Sequence, residues 1–100
     1  MCVRQAKAVS IEGHHDAFCN GTYTHVSTHE GWPVLKNDKG KYCYRHAPRD
    51  TWTLNDKFTP DKTYGRAMIV TEEGPLPVGS VLWRCWNSTW ADHVLTMALQ

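Results

Sequence analysis

Residues 33 to 46, Pro33-Val34-Leu35-Lys36-Asn37-Asp38-Lys39-Gly40-Lys41-Tyr42-Cys43-Tyr44-Arg45-His46, decide the fold class. Two runs of apolar, aromatic and long side chains flank the polar connection Asn37-Asp38-Lys39-Gly40. A polar turn ending in Gly fits a type I turn closed by a residue with positive φ, the device that joins two antiparallel strands. Side chains alternate across a strand, so Tyr42, Tyr44 and His46 share one face and Cys43 and Arg45 the other. The stretch reads as a β-hairpin.

The same period of two extends outward in both directions. Upstream, Lys7 to Glu12 sets Val9 and Ile11 on one side and Ser10 and Glu12 on the other, and Gly13 stops the run. His14-His15-Asp16 is a connection. Asn20-Gly21 turns the chain into Thr22-Tyr23-Thr24-His25-Val26, whose Thr and Tyr suit a pleated surface. Downstream, Thr51-Trp52-Thr53-Leu54 points Trp52 and Leu54 the same way, into a core. Asn55 to Thr63 is polar, carries Pro60 and a single apolar residue, Phe58, and forms the longest loop. Arg66 to Val70 resumes the sheet. Gly74-Pro75-Leu76-Pro77-Val78-Gly79 is a rigid extended connection, because its prolines lack backbone donors. In Val81 to Trp86, the side chains of Val81, Trp83 and Cys85 oppose those of Leu82, Arg84 and Trp86.

The C-terminal segment admits two readings. Trp90, Val94, Met97 and Ala98 recur at helical spacing behind a capping-box-like Thr89-Trp90-Ala91-Asp92. Alternatively, Asn87-Ser88-Thr89 is a turn flanked by Trp86 and Trp90, and Leu95, Met97 and Leu99 alternate along a closing strand.

Composition bounds the function. One hundred residues, 41% hydrophobic and 21% charged, make one folded domain over residues 1–100, with 1–6 expected as a flexible tail. Eleven Lys+Arg against ten Asp+Glu leave a net charge of +1, which speaks against a nucleic-acid or anionic-membrane partner. No apolar run approaches the ~18 residues of a membrane span, and Met1 to Ala8 lacks the apolar stretch of a signal peptide. A cytoplasmic chain is expected. Cys2, Cys19, Cys43 and Cys85 include no CxxC, so zinc knuckles and thioredoxin-like redox chemistry find no support. Cys43 and Cys85 read as buried free thiols and Cys2 as a mobile terminal one. The sequons at Asn20 and Asn87 read as turns.

Asn20-Gly21-Thr22-Tyr23, Gly31-Trp32-Pro33-Val34, Lys41-Tyr42-Cys43-Tyr44, Trp52, Pro77-Val78-Gly79 and Ser88-Thr89-Trp90-Ala91-Asp92 together resemble a small β module. That module recurs, often in tandem, in large multidomain proteins of algae and protists, and has no established activity. The resemblance spans most of the chain and implies an all-β domain with an extended C-terminal segment, favouring the strand. The chain departs from the pattern in Leu76, in Leu35 and in the enlarged spacing from Gly79 to Trp83.

Candidate chemistry is sparse. His14, His15, Asp16 and Cys19 offer ligand types at a spacing of no known metal site, and His14 and His15 point apart if extended, which suits surface imidazoles. His25 and His29 would meet one metal only on a helix. Any cysteine near a histidine would make a nucleophile only as a stabilised thiolate, and nothing singles one out. No cofactor or metal site is expected, and an enzyme is not the favoured class.

Five Trp and four Tyr are the most informative residues. Trp52, Trp83 and Tyr44 belong in the core. Trp32, beside Gly31 in a turn, is the best candidate for an exposed aromatic, and Trp86 and Trp90 with Arg84 can form a platform. The expected fold is an all-β antiparallel meander of about seven strands curled into a small barrel or sandwich. The expected function is a non-catalytic interaction module, either a monomer or one unit of a longer chain. It would bind a protein or peptide through loops 27 to 33, 55 to 64 and 87 to 90 and through Trp32, Arg84, Trp86 and Trp90. Carbohydrate binding by Trp stacking is the alternative, and a Cys/His enzyme a distant third.

Overall fold

The computed structural model describes residues 8–60, 65–71, 76–86 and 88–100. Among them eight strands follow one another, each antiparallel to the next: β1 (Ala8–Glu12), β2 (Gly21–His29), β3 (Trp32–Asn37), β4 (Tyr42–His46), β5 (Thr51–Asn55), β6 (Ala67–Val70), β7 (Gly79–Trp86) and β8 (Trp90–Leu99). β8 returns to pair with β1, matching Val9 to Leu99 and Ile11 to Met97, so the sheet closes into a barrel. Closure leaves no open sheet edge among the described residues. The meander is therefore eight strands rather than about seven, and the contested C-terminal segment is a strand. Helix periodicity at Trp90, Val94 and Met97 loses because only alternation buries Leu95 and Met97 together on the barrel's inner surface.

The interior is filled by residues that alternate inward. Val9 and Ile11 of β1, Tyr23 of β2, Leu35 and Cys43 of the central hairpin, Trp52 and Leu54 of β5, and Trp83 and Cys85 of β7 all lie in one buried cluster with Leu95 and Met97. Each Trp removes ~150–250 Å² from water. Trp52 and Trp83, both at 0% exposure, thus supply a large part of the driving force.

The central hairpin forms as its sequence suggests. Asn37 Oδ1 accepts from the backbone N–H groups of Lys39 and Lys41, and Gly40 has φ of 87°, where a side chain would be strained. Tyr44 is buried, but outside the inner cluster. The first part of the 55 to 64 loop folds back over the outer face of β4 and makes a second, smaller core there. Phe58 meets the Tyr44 ring edge-on at 5.2 Å and the His29 ring at 5.4 Å, the Tyr44 hydroxyl bonds with Thr59 Oγ1 at 3.2 Å, and His46 Nδ1–H donates to the Pro60 carbonyl at 2.7 Å. Phe58, Thr59 and Pro60 thus serve packing; residues 61–64 lie outside the described residues, as do 1–7, 72–75 and Asn87, and with them the expected N-terminal tail.

Two further expectations are corrected. The 27 to 33 loop contracts to the two-residue turn Glu30-Gly31, with φ of 52° and 84°, because β2 and β3 run on to His29 and from Trp32. Positive φ at both central positions matches the right-handed twist of the flanking strands, so the hairpin tightens instead of presenting a loop. A register shift in β2 between His25 and Ser27 accommodates the change of pairing. Trp32 is accordingly the first residue of β3, half-buried, and not an exposed loop aromatic. Its ring meets Trp52 edge-on at 5.9 Å, and the Arg45 guanidinium, held by Asp50 at 2.6 Å, lies 5.1 Å from its centre.

Candidate functional site

The register of β7 and β8 places Ser80 opposite Thr96, Leu82 opposite Val94, Arg84 opposite Asp92 and Trp86 opposite Trp90. These alternate with the inward Val81, Trp83 and Cys85, so all eight lie on the outer face of the longest hairpin. Ser80 and Thr96 hydroxyls bond at 2.8 Å, and the Trp86 and Trp90 rings lie 5.2 Å apart and tilted by 60°. Thus Arg84, Trp86 and Trp90 of the expected set come together on one surface. Trp32 is at the opposite end of the barrel, because successive hairpin turns in a meander alternate between the two ends.

Beside the tryptophan pair runs an open groove of about 610 Å³, lined by Asn55, Asp56, Lys57, Gly65, Arg66, Trp86 and Trp90. One wall is indole. The lining also holds an ion cluster: Arg66 grips Asp56 with Nε at 3.2 Å and Nη2 at 2.9 Å, and Lys41 Nζ reaches its Oδ1 at 2.6 Å. Hydrogen bonds from Arg66 and then Lys41 hold the Asp56 carboxyl well below the usual carboxylate range, at about 2. Arg66 owes its position to its backbone as well: its N–H donates to the Leu54 carbonyl, its carbonyl accepts from the Trp86 N–H at 2.9 Å, and the same carbonyl accepts from His14 Nε2–H at 3.1 Å. Sequence reading missed Asp56 and Arg66, which are ten residues apart across the long loop. Nothing in their local pattern sets them apart from other loop charges.

His14 also departs from expectation. It is buried, and its ring stacks on His15 at 4.4 Å instead of pointing away from it. The chain bends at His15 and Asp16, so the extended geometry on which the expectation rested does not hold. Asn20 locks the loop through reciprocal bonds with the His14 N–H and carbonyl, both at 2.9 Å, which agrees with its reading as a turn residue. Among the described residues, no group of three or more His, Cys, Asp or Glu is arranged to hold a metal ion. Cys19, Cys43 and Cys85 are free and buried, and burial pushes all three thiols up, to about 12 for Cys19 and Cys43. A nucleophilic thiol needs the opposite shift.

Compared with known proteins, the chain matches no family model, no curated protein and no solved structure. No helix among the described residues is long and apolar enough to cross a membrane.

Proposed function

We propose that this barrel is a non-catalytic interaction module that binds a protein or peptide partner through the outer face of β7 and β8 and the groove beside it. The observation that carries this reading is Trp86, 37% exposed, paired with Trp90 and lining one groove with the Asp56–Arg66 cluster. Tryptophan and arginine dominate protein hot spots because a large flat surface and a rigid fork of donors bind with little loss of conformational freedom. Thiols held protonated speak for binding rather than covalent chemistry, and free cysteines suit a reducing compartment such as the cytoplasm.

The test is selection of a displayed random-peptide library on the immobilised domain. Enriched peptides should bind the wild type and lose at least tenfold in affinity on Trp90→Ala. Failure to enrich any peptide, or peptides indifferent to Trp86→Ala and Trp90→Ala, overturns the reading.

Carbohydrate binding is a second reading, favoured by charged hydrogen-bonding groups that line the groove together with the indoles. The 60° tilt between the rings denies a sugar chain a flat double platform. Sugar-induced change in tryptophan fluorescence would support it.

A further inference from the structure

The rows on the β7 and β8 face are matched to one another in a way that identifies a partner. Leu82 and Val94 are 60% and 53% exposed, yet directly opposite across the strands, so they form a continuous apolar row instead of scattered single residues. In the next row Arg84 and Asp92 are opposed and both exposed, but no ion pair joins them among the described residues. The third row is Trp86 with Trp90.

A two-fold axis lying in the plane of contact, parallel to the strands and midway between β7 and β8, exchanges the two members of every row. Under that operation Leu82 of one copy meets Val94 of the other, Arg84 meets Asp92, and Trp86 meets Trp90, each contact made twice. Apolar faces apolar, cation faces anion and indole faces indole. An isologous interface requires this self-complementarity, and an axis that set Arg84 on Arg84 would be repulsive. Resting on the reading of this face as a protein-binding surface, we propose that its partner is a second copy of the same chain, docked about that axis with the two sheets packed face to face. Sheet twist holds the close contact to the central rows, which puts the interface in the weak class below ~1,200 Å² in total.

The experiment is sedimentation equilibrium of the whole chain, with Arg84→Asp and Asp92→Arg variants. Both positions are exposed, and circular dichroism checks that each variant folds. Wild-type mass should rise with concentration from 11.4 kDa towards twice that value. Arg84→Asp should stay monomeric, since it sets Asp on Asp92, and Asp92→Arg should do the same by setting Arg on Arg84. An equimolar mixture of the two should associate again, because one chain then carries two anions and the other two cations at the matched positions. A wild type monomeric up to ~1 mM, association that survives Arg84→Asp, or a mixture that fails to associate overturns the proposal. Should the mixture fail while library peptides still bind in a Trp90-dependent manner, self-association is wrong and the interaction reading stands; loss of both removes the reading as well.

Discussion

His14 reaches across 52 residues of sequence to the backbone of Arg66, its Nε2–H donating to the carbonyl oxygen at 3.1 Å. The proton must be on Nε2, because Nδ1 accepts the Asp16 N–H at 2.9 Å. One neutral imidazole thereby ties the loop after β1 to the residue that positions the groove's carboxylate.

That linkage makes stability pH-dependent. Burial is the main cause of a His14 pKa below 6.5; the Arg66 carbonyl and Asp16 oppose it, while His15 and His93 add to it. Between the folded and unfolded values the unfolded chain binds the extra proton, so this stabilisation is complete above about pH 6.5 and declines as pH falls through the folded value. His14→Ala should lower stability at neutral pH by ~1–3 kcal/mol, because it removes a buried ring and leaves the Asp16 N–H without its acceptor, and should flatten the pH dependence below pH 6.5. Denaturant midpoints across pH check both.

Asp56 makes a second acid-sensitive contribution. Its folded pKa of about 2 lies below the ordinary 3.8, so the stabilisation is present above the ordinary value and lost as pH falls towards the folded one. With the side chain 41% exposed, solvent screening keeps the effect small. Asp56→Asn should reduce the decline in thermal midpoint on acidification below about pH 4, and added salt should mimic part of that loss.

Cys19, Cys43 and Cys85 should be inert to a thiol reagent in the folded protein and react together on unfolding. In a Cys2→Ser background, a dithionitrobenzoate assay should give no fast phase natively and three equivalents in denaturant. A fast native thiol would revive the nucleophile reading.

Trp32 and Trp90 should separate into a packing role and a binding role. Trp32→Ala removes an edge contact with Trp52 and uncovers the Arg45 guanidinium, and should cost ~2–4 kcal/mol. Trp90→Ala loses one tilted ring contact at the rim and should cost ~0.5–1.5 kcal/mol while abolishing peptide binding. Chemical denaturation of both variants beside a binding measurement distinguishes them.

Much of the fold is legible along the chain. Alternation at Val9 and Ile11, at Trp52 and Leu54, and at Val81, Trp83 and Cys85 places those side chains on the surface they occupy in the barrel. The Trp86–Trp90 pairing follows from one of the two readings that the C-terminal run admits, the hairpin. Half of the groove was equally visible, as Trp86 and Trp90; its other wall was not, since Asp56 and Arg66 meet only through the path of the loop between β5 and β6.

By itself the sequence determined most strands, the Asn37 to Gly40 turn and the inward sets of β1, β5 and β7, because alternation and turn chemistry act over a few neighbouring residues. Tertiary structure alone decided that β8 closes on β1, that Phe58 and Pro60 cover Tyr44 and His46, and that Trp32 lies against Trp52. Each depends on lateral register and loop path between residues distant along the chain, and packing fixes those through contacts that no local pattern encodes.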